Sequence, residues 1–126
     1  MKKMMNTLYK KLFPLRITDF RSIITISKCN KNITYLDKYN NEVGYIEYKP
    51  ENGKICLFFI TNPSYRNRGL GKQILSIVLA DIKQHNTKRA WLVTSKCPHK
   101  FWESNGFTYT KTPDISVISH GYTRDL

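Results

Sequence analysis

Between residues 55 and 85 the hydrophobic period of the chain changes once, and a basic, glycine-containing loop marks the change. Ile55-Cys56-Leu57-Phe58-Phe59-Ile60 is apolar without a break, the pattern expected of a strand covered on both faces. Leu70, Ile74, Ile77, Val78 and Ile82 then recur at helical spacing as far as about His85, which predicts an amphipathic helix. A buried strand feeding a tight loop and then a helix demands a sheet with helices packed against it. The chain has 126 residues, enough for one domain over 1–126 with a core that needs neither disulfide nor metal.

The flanking segments fit that frame. Residues 22–27, 33–37 and 43–48 read as strands, with Lys38-Tyr39-Asn40-Asn41 and Glu51-Asn52-Gly53 as the turns between the later ones. In the third strand Val43, Tyr45 and Glu47 share one face, and Gly44, Ile46 and Tyr48 share the other. Residues 90–93 form another buried strand. Pro98 suits the first turn of a second helix, and Gly106 suits its C-terminal cap. Residues 107–110 and 115–123 complete the sheet around Thr112-Pro113-Asp114. At the start, Met4, Met5, Leu8, Tyr9, Leu12 and Phe13 repeat at helical spacing among lysines, closed by Pro14, as a short docking helix would. The order is a meander, a helix, a strand, a helix and a strand pair: mixed α/β, of the α+β kind.

Composition narrows the function classes. No run approaches the roughly 18–20 apolar residues of a membrane span. Cys29, Cys56 and Cys97 are odd in number and lack metal-ligand spacing, and there are only three histidines. They read as free thiols of an intracellular, cytoplasmic protein with no metal site. The net charge of +12 attracts anions, whether nucleic acid, an acidic protein surface or the phosphates of a cofactor. The accompanying excess of Lys, Asn, Ile and Tyr also matches an AT-rich genome, so charge alone identifies no partner.

The loop between strand and helix is more specific. It reads Asn62-Pro63-Ser64-Tyr65-Arg66-Asn67-Arg68-Gly69-Leu70-Gly71-Lys72. Pro63 removes a ladder donor and ends the strand. Gly69 and Gly71 permit a tight turn and close approach of a ligand. Amides from Asn67 to Lys72 face outward at a helix N-terminus, where unpaired N–H groups and the helix dipole favour phosphate. Arg66, Arg68 and Lys72 add full charges. A Walker loop is excluded because Gln73 follows the lysine, and a dinucleotide fingerprint because Ile74 occupies its third glycine position.

Arg66-Asn67-Arg68-Gly69-Leu70-Gly71 resembles motif A, Arg/Gln-x-x-Gly-x-Gly/Ala, of the GCN5-related N-acetyltransferase (GNAT) superfamily. Lys100-Phe101-Trp102-Glu103-Ser104-Asn105-Gly106-Phe107 resembles its motif B, an aromatic-rich helix ending in Gly-Phe. The resemblance covers residues 55–107 and the three preceding strands, with room for only an abbreviated set of the family's two early helices. It implies a mostly antiparallel sheet whose strand 55–61 splays from strand 90–93. Acetyl-CoA, or another acyl-CoA, would lie in the gap, its pantetheine arm paired with the main chain of Phe59, Ile60 and Thr61. The pyrophosphate would rest on Arg66, Asn67, Arg68, Gly69, Leu70, Gly71 and Lys72. The acyl group would pass directly to an amine, whether a protein lysine or N-terminus, an aminoacyl-RNA or a small amine.

The chain departs from the family where catalysis is concerned. Trp102 stands where many members carry a tyrosine acid, and Ile55 and Val93 stand where a glutamate base is often found. Ser95 replaces an asparagine that often contacts the cofactor. Glu47, His99, His120, Tyr65, Tyr109, Tyr122 and Cys97 are the remaining candidates, none of which is assigned. A second reading follows: a weak or inactive CoA-binding protein whose basic surface holds nucleic acid or an acidic partner.

Overall fold

A computed structural model describes residues 15–94, 99–111 and 120–126, apart from the side chains of His99, Lys111 and His120. The described strands are β1 (Arg21–Ile26), β2 (Lys31–Leu36), β3 (Glu42–Lys49), β4 (Lys54–Ile60), β5 (Arg89–Thr94), β6 (Thr108–Lys111) and β7 (His120–Asp125). They form one sheet in the order β1-β2-β3-β4-β5-β7-β6, in which only β4 and β5 run parallel. Two helices, α1 (Leu70–Gln84) and α2 (His99–Ser104), follow β4 and β5. The proposed N-terminal helix and residues 112–119 lie outside the described residues. The last strand reaches Asp125, beyond the expected end at 123.

The meander is drawn together by its turns. Asp37 accepts the N–H groups of Tyr39 (2.8 Å) and Asn41 (2.9 Å), and Asn40 takes the left-handed conformation that asparagine tolerates. β1 and β2 are joined by a tight turn, with Ser27 N–H bonded to Asn30 O at 2.9 Å, so no helix lies between them. Before β1 the only helical turn among the described residues is the three-residue 3-10 segment Ile17–Asp19.

Helix α1 buries Leu70, Ile74, Leu75, Val78, Leu79 and Ile82 against Gly44, Ile46 and Tyr48 of β3, all buried. Ile77, expected on this stripe, is 42% exposed. At about 100° per residue it falls beside Ser76 and Ala80 on the solvent face, and Leu75 and Leu79 fill the inner one.

β4 differs from expectation in an instructive way. Tyr48 pairs with Ile55 but Glu47 pairs with Leu57, so Cys56 is an extra residue opposite none. Such a bulge bends the strand and resets its facing. After it, Phe58 and Ile60 turn toward α1 and α2, whereas Leu57 (50% exposed) and Phe59 (45% exposed) lie on the other face. Among the described residues nothing covers that face. The strand is therefore covered on one side, not two.

β5 joins β4 only at the beginning, where Lys54 pairs with Trp91 and Trp91 N–H reaches Gly53 O at 2.9 Å. Thr87 Oγ1 donates to Pro50 O (2.8 Å) and Trp91 Nε1 to Asn52 Oδ1 (2.9 Å), reinforcing the junction. A Cβ on Gly53 would lie 2.0 Å from Arg89 O, and its φ is +83°, so only glycine permits this approach. Beyond it the strands splay, as the family resemblance implied.

A polar cluster ties α1 to the meander. Tyr48 Oη donates to Asp81 Oδ2 at 2.6 Å and Lys31 Nζ to the same oxygen at 3.0 Å, and the Tyr48 side chain is fully buried. Burial pushes the Asp81 carboxyl up, but the Tyr48 and Lys31 hydrogen bonds outweigh it and hold the group below its ordinary value. A depressed carboxylate contributes stability above its unfolded pKa of about 3.9, lost as pH falls through the folded value. Urea midpoints of the wild type should therefore drop more between about pH 6 and pH 3 than those of Asp81→Asn, which keeps an acceptor but no charge. Asp81→Leu, which leaves the buried phenol without an acceptor, should cost about 1–3 kcal/mol. Equal pH dependence in wild type and Asp81→Asn would contradict this account. No described helix is long and apolar enough to cross a membrane.

Candidate active site

The loop after β4 is rigidly built. Asn62 Oδ1 accepts the Ser64 N–H (3.0 Å) and hydroxyl (2.8 Å), starting the 3-10 turn Pro63–Tyr65. The Tyr65 ring meets Phe20 edge-on, with centroids 5.5 Å apart. Arg66 turns back and donates its Nε to Ile60 O at 3.1 Å. Asn67 and Gly69 then adopt positive φ values of 58° and 86°, reversing the chain into α1.

Helix α1 opens without a cap. Gly69 offers no side-chain oxygen, the first turn holds no acidic residue, and the first helical bond runs from Gln73 N–H to Gly69 O. The N–H groups of Leu70, Gly71 and Lys72 precede it, so the positive end of the dipole carries three donors with no helical acceptor. At Gly71 an added Cβ would lie 3.1 Å from the Phe101 ring, and this closeness lets α2 rest on the start of α1. Gln73, which ruled out a Walker loop, has a structural use. Its Oε1 accepts Ile17 N–H at 2.9 Å and its Nε2 donates to Leu15 O at 2.7 Å, clamping the entering chain beside the loop.

These elements enclose a cleft of about 470 Å³. Its lining includes Phe59, Ile60, Arg66, Asn67, Gly69, Leu70, Gly71 and Lys72, eight of the ten residues the resemblance nominated. Thr61 and Arg68 do not line it. Phe58, Tyr65, Phe101, Trp102, Ser104 and Asn105 complete it. Thr61 N–H is bonded to Val43 O at 2.9 Å. Antiparallel pairing alternates, so the main chain of Phe59 also addresses β3 and that of Phe58 and Ile60 addresses the gap. Of the three nominated strand residues, Ile60 alone presents its backbone edge to the gap. Phe58 joins it, and its facing depends on the bulge, which has no signature in the sequence.

A second cavity of about 280 Å³ continues toward the junction of β4 and β5 and shares Phe58, Phe59 and Trp102 with the first. Trp102 is 5% exposed and packs edge-on to Phe58, Phe101 and Phe107, with Tyr122 6.4 Å away. Helix α2 ends as Gly106 requires, with Gly106 N–H bonded to Glu103 O and Phe107 N–H to Trp102 O, the Schellman arrangement.

A model of the acetyltransferase (GNAT) domain family matches residues 18–117. The chain belongs to the GNAT acetyltransferase family. Solved GNAT structures share its fold. A GNAT-family acetyltransferase from Staphylococcus aureus is 25% identical, with a TM-score of 0.61 over 76% of this chain and 68% of its own. The PaiA N-acetyltransferase of Thermoplasma acidophilum, in complex with coenzyme A, is 17% identical with a TM-score of 0.66. This chain has 78% of its length matched there and spans 62% of that protein. An Elizabethkingia anophelis GNAT acetyltransferase with acetyl-CoA bound is 14% identical, with a TM-score of 0.67 over 86% of this chain and 99% of that one. No curated protein sequence matches the chain significantly.

Within this GNAT frame the catalytic candidates separate. Tyr65 and Trp102 line the cleft. Glu47 pairs with Leu57 on the uncovered face, one strand from the gap, and accepts the Tyr45 hydroxyl at 3.4 Å. Tyr122 is fully buried and Tyr109 packs on it, with centroids 5.6 Å apart; neither lines a cavity. Ser95, Cys97 and the side chains of His99 and His120 lie outside the described residues. No described carboxylate or histidine lines either cavity.

The Trp102 ring anchors four aromatic neighbours, so Trp102→Ala should cost about 3–5 kcal/mol by urea unfolding, while Trp102→Phe retains most of the packing. A loss below about 1 kcal/mol in the alanine variant would mean the ring is not a packing anchor.

Proposed function

We propose that the protein is an acyl-CoA-dependent N-acyltransferase that uses acetyl-CoA and passes the acyl group directly to an amine. The observation that carries this reading is the uncapped N-terminus of α1, opening onto a cleft that continues along the free edge of β4. The pyrophosphate would accept the N–H groups of Leu70, Gly71 and Lys72, with Arg66, Arg68 and Lys72 supplying charge. The pantetheine amides would pair with the main chain of Phe58 and Ile60, as an added strand does. Arg66 shares the Ile60 carbonyl, which has a second lone pair to offer. The bound coenzyme A and acetyl-CoA of the Thermoplasma and Elizabethkingia proteins support the assignment.

The acceptor would approach over the uncovered face, where Tyr45 stacks on Phe59 at 5.4 Å and Glu47 lies beside Leu57. Among the described residues that face is uncovered, with Leu57 and Phe59 about half exposed, which suits an amine on a protein or RNA better than a small molecule. The neutral amine attacks the thioester carbonyl, the N–C bond forms, and the C–S bond breaks with its electron pair on sulfur. The nitrogen's surplus proton passes through water to the thiolate. A dedicated acid is dispensable, because a thiol with pKa near 8.5 gives a tolerable leaving group at neutral pH. Glu47 is the candidate to deprotonate the amine through water.

The lack of a described carboxylate or histidine in either cavity favours one other reading, a CoA-binding protein with little turnover that acts as a basic binding module. Labelled acetyl-CoA in a lysate separates the two: transfer to an acceptor supports the enzyme, and binding without transfer supports the module.

Acetyl-CoA at about 100 times its Kd should stabilise the fold by about 2.7 kcal/mol, a melting shift on the order of 10 °C. Gly71→Glu, which sets a carboxylate in the phosphate site and a side chain against Phe101, should abolish the shift. No shift at millimolar acetyl-CoA in low salt would overturn the cofactor assignment. Trp102→Phe should keep single turnover within about tenfold, a barrier change near 1.4 kcal/mol. A loss of about a thousandfold with binding unchanged would make the indole N–H catalytic.

A further inference from the structure

The second cavity is larger than an acetyl group needs, and its described side chains are mostly apolar. It begins where Phe58, Phe59 and Trp102 close the cofactor cleft and runs to the junction of β4 and β5. Its remaining walls are Ile55, Cys56, Leu57, Leu92, Val93 and Thr94. Among these described side chains none carries a charge, and only those of Thr94 and Cys56 bring a polar atom. Burial pushes the Cys56 thiol up, keeping it neutral. The described side chains here offer an ammonium no counter-charge. An acetyl methyl, about the volume of one water at roughly 30 Å³, would leave most of the 280 Å³ unfilled.

The shape follows from the backbone. Trp91 holds β5 to Gly53 at one end, and the bulge at Cys56 bends β4 away just beyond it. The space between is lined from both strands by aliphatic and aromatic side chains. A thioester arriving along Ile60 and Phe58 would reach the point where the two cavities meet, its acyl chain directed into the second.

We propose that this cavity is an acyl subsite, and that the preferred co-substrate is the CoA thioester of a short aliphatic acid longer than acetate. At about one water-sized volume per carbon, roughly four to six carbons fit with the mouth left to the acceptor. The inference rests on the cofactor reading above. It leaves the chemistry unchanged: the same N–C bond forms, the same C–S bond breaks, and the amine's proton ends on the CoA sulfur.

Calorimetric titration of the full chain with CoA, acetyl-CoA and butyryl-CoA tests it. Each buried methylene should tighten binding about fourfold, or about 0.8 kcal/mol. Butyryl-CoA should therefore bind about tenfold or more tighter than acetyl-CoA. Val93 is 44% exposed at the rim, so Val93→Phe can fill the cavity without disturbing the core; Cys56→Phe fills it from the bulge. Loss of the butyryl advantage in either folded variant, with CoA affinity retained, upholds the subsite. Acetyl- and butyryl-CoA bound within about twofold by the wild type would overturn it, as would an advantage undiminished in both folded variants. Free CoA tells the failures apart: if CoA itself does not bind, the cofactor reading falls and the subsite with it.

Discussion

β4 and β5 are tied at one end and separate at the other, and the rest of the site depends on that asymmetry. The tie is the Trp91–Gly53 main-chain bond, flanked by the Thr87 and Trp91 side-chain bonds to the preceding turn. A parallel pair that stayed in register would bond the edge of β4 along its length, leaving no edge for a ligand. The bulge at Cys56 prevents this by bending the strand immediately after the tie. One extra residue thus produces the gap, turns Phe58 and Ile60 toward the helices, and leaves Leu57 and Phe59 on the open face.

The second element is the direction of α1. Its buried stripe on β3 fixes the helix axis, so its positive end must emerge at the mouth of the gap. Glycine at positions 69 and 71 serves two ends. At 69 it supplies the left-handed turn, and at 71 it admits the Phe101 ring. Helix α2 consequently closes the cleft from the side, with Trp102 between Phe58 and Phe107. Packing and the shape of the cleft draw on the same residues.

Much of this was legible in the sequence where a local rule applied. The loop from Arg66 to Lys72 announced itself by glycine and charge spacing, and Gly106 announced the end of α2. The bulge at Cys56 was not legible, because no residue type marks it. Its consequence is specific: an unbroken apolar run reads as covered on both faces, whereas the bulge leaves Leu57 and Phe59 exposed and turns the main-chain edge of Phe58 to the gap. Ile77 reads as part of the inner stripe because hydrophobicity alone cannot choose between it and its neighbours Leu75 and Leu79. Gln73 looked like a departure from a phosphate motif, and its clamp on Leu15 and Ile17 spans more than fifty residues of sequence, beyond any local pattern. Catalytic roles are not legible for a related reason, since no described carboxylate or histidine lines either cavity.

The central claim is that an acyl-CoA lies along the β4 edge with its phosphates on the start of α1. Residue-resolved amide hydrogen exchange, with and without saturating CoA, measures this directly. The account predicts protection at Leu70, Gly71 and Lys72 together with Phe58 and Ile60, and no change along β1 and β2. Protection confined to other basic surfaces, or to the loop without Phe58 and Ile60, would contradict it.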